Sequence, residues 1–181
     1  MRTYVRAGAV IAGVALLSTP LAAEAETGHL NLGRDTSHPA YGDITALHVN
    51  NAKKRLVAVT RMPKVNRTRL IRTVVVMKTR NSSHTWRAIV RYNRAGKAVE
   101  KWMVMAGKPG DPAVGISCPQ IRVATSKHNV RTVVPRTCLS REALKKPVKV
   151  RAAVTVRAQL RDSAETAVRD TTPFTKFLKR G

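Results

Sequence analysis

The sequence predicts an all-β protein: an antiparallel β-sandwich, immunoglobulin-like or jelly-roll-like, with little helix and one disulfide-stapled hairpin. Three observations carry this. Runs of five to ten residues rich in Val, Ile, Thr and Tyr recur along the chain, divided by turns containing Gly, Pro and Asn. The last long run, VKVRAAVTVRAQLR, alternates apolar and polar residues with period two, as a strand with one dry and one wet face must. Only two cysteines occur in 181 residues, and both flank one such pair of runs.

Taken in order, residues 1–25 predict a secretory signal peptide. Arg2 and Arg6 form a basic start, residues 7–17 are apolar, Pro20 breaks the helix, and Ala23-Glu24-Ala25 is a small-x-small cleavage site. The apolar run is shorter than the roughly 20 residues that cross a bilayer. No twin arginine precedes it and no cysteine stands at the cleavage point, so a secreted chain without a lipid anchor or transmembrane segment is expected. Residues 26–42, with GRDTSHPAYGD, predict a leader or linker. Residues 43–181 are expected to form a single β-sandwich domain. Its strands fall at 43–49, at 54–62 before Pro63, at 69–79, at 84–93 and 98–107 around the turn NRAGK, in the cysteine segments, and at 148–161. SREALKK, at 140–146, allows one or two turns of helix.

In NRAGK, Asn93 followed by Gly96 fits a type I turn with a bulge whose glycine takes a positive φ. The implied register sets Trp86 beside Val104 and Ala88 beside Trp102, so both tryptophans share one face, in the core. At 148–161, Val148, Val150, Ala152, Val154, Val156, Ala158 and Leu160 form the dry face. Lys149, Arg151, Arg157 and Arg161 fall on the wet one, as a candidate polyanion-binding stripe.

The cysteines could serve a metal, a reactive thiol or a staple. Zinc needs about four ligands, often at paired spacings, whereas His29, His38, His48, His84 and His128 are scattered and none is close in sequence to either cysteine. No metal site is therefore expected. A catalytic thiol would need a base, and none is evident. In an oxidising compartment the simplest outcome is one bridge. If Ser126 pairs with Val130, then Ala124 faces Thr132, Arg122 faces Val134 and Cys118 faces Cys138. Ile121 and Val123 then share the other face with Val133 and Pro135. A bridge closing such a loop contributes about 3 kcal/mol in the chain-entropy picture.

Sequence motifs for catalysis are missing: there is no G-x-S-x-G, S-x-x-K or phosphate loop, and Asp35, Asp43 and Asp111 stand alone. No catalytic residue and no cofactor is expected. The formal charge of +24 draws such a chain to anionic polymers. Aromatic residues are not interleaved with the basic ones, which argues against a dedicated nucleic-acid reader.

GDITALHVNN, CPQIRVA, VVPRTCLS, KKPVKVRAAV and the terminal FLKRG together resemble a group of small secreted actinobacterial proteins with no assigned activity. Their shared pattern is a G-D-I strand, two cysteines with V-P-R-x-C-L (here Val134 to Leu139), a Pro-led valine strand and a basic end. The resemblance spans most of residues 43–181. It implies export and a β-sandwich-like fold and supplies no catalytic residues. The acidic stretch expected before the tail is reduced to Asp162, Glu165 and Asp170, so no cation site is carried over.

Three functions remain open. The first is a non-enzymatic exported protein acting by contact with an anionic cell-wall polymer, another polyanion or a partner protein. The second is a carbohydrate-binding module using Trp86, Trp102, Tyr41 and Tyr92. The third is a hydrolase whose residues meet only in space. N-terminal sequencing of protein recovered from culture medium is expected to begin at Glu26; a chain retained in the membrane fraction with Met1 in place would refute the cleavage.

Overall fold

The computed structural model describes residues 25–80, 83–107, 112–139, 150–159 and 167–180. Of the regions expected from sequence, the signal peptide (1–25) apart from Ala25, the helical turn at 140–146, Lys149 and Arg161 lie outside these residues. The described residues form an antiparallel β-sandwich, and no helix among them is long and apolar enough to cross a membrane. One sheet has five strands, in the order β1 (Thr27–Asn31), β2 (Ala46–Asn51), β3 (Arg55–Arg61), β9 (Asn129–Pro135), β8 (Arg122–Thr125). The other has six: β11 (Ala167–Thr171), β10 (Val150–Gln159), β4 (Leu70–Thr79), β5 (Thr85–Tyr92), β6 (Ala98–Ala106), β7 (Val114–Ser117). The chain builds β1–β3 in the first sheet and β4–β7 in the second. It then returns β8–β9 to lie beside β3, and β10–β11 to lie beside β4.

Alternation explains the core. On β10, Val154, Val156 and Ala158 are buried, while Arg157 is exposed. Opposite them Val75 faces Val154 and Thr73 faces Val156. From the other sheet Leu47, Val49, Leu56, Ala58, Val130 and Val134 fill the same interior. Burying such side chains contributes about 1.5–3 kcal/mol each before conformational entropy opposes it.

Three expectations are corrected by register or pairing. Residues 27–31, assigned to a leader, form an edge strand: Thr27 pairs with Asn50 and Asn31 with Ala46. The ladder to β2 gives their backbone groups partners, which composition does not reveal.

The turn at Asn93 forms as expected, with Gly96 at φ 73° and its N–H donating to Asn93 O at 2.9 Å. A Cβ there would also stand 2.7 Å from the Arg67 side chain. The register beyond it differs, because Tyr92 pairs with Ala98 and Arg91 with Glu100, so Val99 is an extra residue in β6. That bulge puts Trp86 opposite Met105 and Trp102 opposite Ile89. The two tryptophans therefore lie on opposite faces of the sheet. Trp86 is 2% exposed in the core, and Trp102 is half-buried on the outside.

The Cys118–Cys138 bridge forms, with Cα atoms 5.6 Å apart, but it is not a rung of one hairpin. The β8–β9 turn is tighter than expected: Ser126 N–H donates to Asn129 O at 2.9 Å, and Thr125 pairs with Val130. Val123 then pairs with Thr132 and Arg122 with Val133, one residue off the expected register. Burial fixes this register, since Ile121, Val130 and Val134 must all point inward. Cys118 follows β7 of the six-stranded sheet, and Cys138 ends a 3-10 turn (Arg136–Cys138) after β9 of the five-stranded one. The bridge ties sheet to sheet.

Arg136 secures the same corner. It is 3% exposed; its Nη2 donates to Asn51 Oδ1 and its Nε to Ala52 O at 3.0 Å. Burial, with a smaller contribution from Arg180, lowers its pKa to about 10, which leaves it charged at neutral pH. Asn51 Nδ2 in turn donates to Leu178 O at 2.8 Å. The residues after β11 thus strap the sandwich: Thr172 N–H donates to Val154 O in one sheet, and Leu178 packs on Gly28 in the other. Arg136→Gln is expected to lower unfolding free energy by about 2–3 kcal/mol, because it strands buried acceptors on Asn51 and Ala52. Urea denaturation measures it, and a loss under about 0.5 kcal/mol, the range of ordinary surface changes, would show that the network is dispensable.

Candidate functional site

The outer face of the six-stranded sheet carries a row of basic side chains that sequence distance conceals. Arg169 on β11 pairs with Arg157 on β10, Arg157 with Arg72 on β4, Arg72 with Arg91 on β5, and Arg91 with Glu100 on β6. Directly opposed residues in an antiparallel sheet point to the same side. The four arginines therefore cross the sheet in one line, spanning about 14 Å at the usual strand spacing. Arg91 pairs with Glu100 at 3.0 Å. Among the described residues no carboxylate pairs with Arg72, Arg157 or Arg169. Opposed like charges destabilise a sheet, so this row costs stability that a bound anion would return.

Beside the row runs a less polar line. Thr155, Val74 and Ile89 are buried and Trp102 is half-buried, all in one register line. The surface thus offers cations next to a covered line of side chains that opens only at the half-buried indole of Trp102.

Of the four residues proposed from sequence, Arg157 belongs to the row. Arg151 does not act as a free cation: its guanidinium carbon sits 4.8 Å from the Phe174 ring centroid and 5.0 Å from that of Phe177. Lys78, opposite Arg151, reaches Phe174 at 5.4 Å. These stacked pairs hold the C-terminal strap down. Lys149 and Arg161 are outside the described residues. Arg72, Arg91 and Arg169 were missed because each lies on a different strand; the signal available was an arginine near one end of each run.

The proposed sugar platform is not assembled. Trp86 is in the core. The half-buried Tyr92 approaches Thr73 Oγ1 through its hydroxyl at 3.2 Å, and burial pushes its pKa up to about 12. Tyr41 lies under Arg69, 5.6 Å from its guanidinium.

A serine, a histidine and a carboxylate do meet, in the loop at 35–38. Ser37 Oγ donates to Asp35 Oδ1 at 2.7 Å, and His38 Nδ1 lies 2.9 Å from Asp35 Oδ2. The serine sits 3.3 Å from the same Nδ1 and gives its proton to Asp35. A hydrolytic triad needs the serine on the far ring nitrogen. Hydrogen bonds from the Ser37 hydroxyl and N–H, then from His38, hold the Asp35 pKa at about 2. This is a capped turn.

Two clefts remain. One, of about 430 Å³, is lined by Asp35, Asp43 and Asp170 among others. Asp43 Oδ1 accepts from Asp35 N–H and Asp170 Oδ2 from Ile44 N–H, which fastens the loop to β11. The other, of about 470 Å³, is lined by His29, His48, His128 and Arg61 on the five-stranded sheet. Burial, then the neighbouring His29 and Arg61, hold the His48 pKa below its usual value.

No protein-family model, curated protein or solved structure matches this chain.

Trp102 and Trp86 should differ in solution. Acrylamide is expected to quench the Trp86→Phe variant, which retains Trp102, and to leave Trp102→Phe nearly unquenched. Equal quenching of both would contradict their placement on opposite faces.

Proposed function

We propose that this is an exported protein that works by contact with an anionic polymer, not by catalysis, and that the outer face of the six-stranded sheet is its binding surface. The arginine row carries the reading: Arg169, Arg157, Arg72 and Arg91 form one line with a single pairing carboxylate among the described residues. A linear array of cations suits a linear array of phosphates or carboxylates, and each neutralised site releases counterions. Export is proposed from the leader pattern, supported by the disulfide. Kinship with the small secreted actinobacterial proteins is proposed on V-P-R-x-C-L, whose arginine and cysteine both have structural work at the sheet corner.

The test is the variant Arg72→Gln, Arg91→Gln, Arg157→Gln, Arg169→Gln, measured against heparin and a glycerol-phosphate polymer across salt. The inward valines are untouched, so the fold should persist. The slope of log affinity against log salt is expected to shrink by about two to three units. Single substitutions should be nearly silent, since one exposed charge contributes about 0–1 kcal/mol. Unchanged binding at every salt would remove the row from the function.

A further inference from the structure

A separate site lies on the opposite sheet. His29 on β1 and His48 on β2 are directly opposed, both exposed, with their Nδ1 atoms 3.1 Å apart. We propose that this cross-strand pair is a two-imidazole chelating site for a divalent first-row transition ion, with copper(II) bound more tightly than zinc(II), and that Arg61 holds an anionic co-ligand of the ion.

The spacing is the first argument. Two nitrogens on one ion at about 2.0–2.1 Å, subtending about 90–110°, stand about 2.9–3.4 Å apart. The two Nδ1 atoms already have that separation; they share a hydrogen bond, which an ion replaces once the bridging proton leaves and the rings turn both lone pairs onto it. The ladder from Thr27–Asn50 to Asn31–Ala46 fixes both backbones, so little ordering is needed on binding.

The surroundings are the second. The pair opens into the cleft of about 470 Å³, which leaves room for further ligands. Among the described residues no third His, Cys, Asp or Glu completes a metal-binding group with them. The remaining positions therefore fall to water or an incoming donor. Arg61 lines the same cleft and opposes a bare cation, but stabilises one that carries an anion. His128 lines it too; its Nδ1 donates to Pro63 O at 2.7 Å, which leaves Nε2 as the basic nitrogen. Imidazole is a ligand for copper and zinc, and copper(II) is the tighter of the two in a given nitrogen site.

The experiment is titration of the folded chain beginning at Glu26 with copper(II), then zinc(II), in a non-coordinating buffer. Calorimetry gives stoichiometry, and electron paramagnetic resonance counts coordinated nitrogens. One copper per chain with two imidazole nitrogens is expected. His29→Gln and His48→Gln should each weaken binding at least about tenfold, while His84→Gln should not. Both altered residues are exposed, and circular dichroism checks that the variants fold. His48→Gln also separates this site from a chelate of His29 with a nearby amino terminus. Copper binding that survives His48→Gln, or no binding by the parent at all, would overturn the proposal. Arg61→Gln should weaken copper binding in phosphate or acetate and not in their absence; equal affinity in both would remove the co-ligand.

Discussion

The covalent link between the two sheets is the constraint on which the sandwich depends. Apolar burial is non-directional and holds sheets together without fixing how they are staggered. Cys118 and Cys138 fix the stagger at one corner, where β7 of one sheet ends near the end of β9 of the other. Arg136, two residues before Cys138, binds the end of β2 through Asn51 and Ala52. Asn51 then captures Leu178 O from the strap. Four distant pieces of chain meet there, and V-P-R-x-C-L supplies two of the groups that hold them. Inside such a corner the charge is offset by the oxygens that meet its Nε and Nη2, while Nη1 is buried without a partner. The arginine thus gives direction to an interior that is mostly apolar.

With the interior fixed by the corner and the inward side chains, the outer faces are free to carry charge. The six-stranded sheet uses that freedom in one line. Each arginine is ordinary for an exposed strand position; their alignment is the product of four registers, and a slip of one residue in any strand would send its arginine inward. The bulge that places Arg91 opposite Glu100 also sends Trp102 outward, beside the row. One irregularity after the Asn93 turn therefore sets both an ion pair and an indole on the candidate surface.

Alternation along single strands was legible in the sequence, and pairing between strands was not. Val154, Val156 and Ala158 were readable as inward because each depends only on its own neighbours in the chain. Gly96 was readable as a positive-φ residue for the same reason. The tryptophans were misplaced because a single bulged residue, Val99, leaves no mark in composition. The cysteines were correctly paired and wrongly located: equal distance from a turn suggested one hairpin, but the bridge spans two sheets. Arg151 looked like a solvated cation until the strap brought Phe174 and Phe177 onto it. His29 fell in a stretch whose glycine and polar residues hid a strand, so its contact with His48 was invisible.

The two candidate sites follow different physical logic, and magnitudes separate them. Exposed charges are screened over about 8 Å at physiological ionic strength. A polyanion surface is therefore effective only as an array, and its residues are individually replaceable. Coordination is short-ranged and directional, so a chelate rests on two atoms and fails with either. Both demand that a sheet hold side chains in register, which the tied corner and the strap provide. The strap also closes against β1, where Leu178 meets Gly28 one residue before His29. The histidine pair thus sits on an edge strand whose position depends on the far end of the chain. The same closure that completes the sandwich holds the edge histidine opposite its partner.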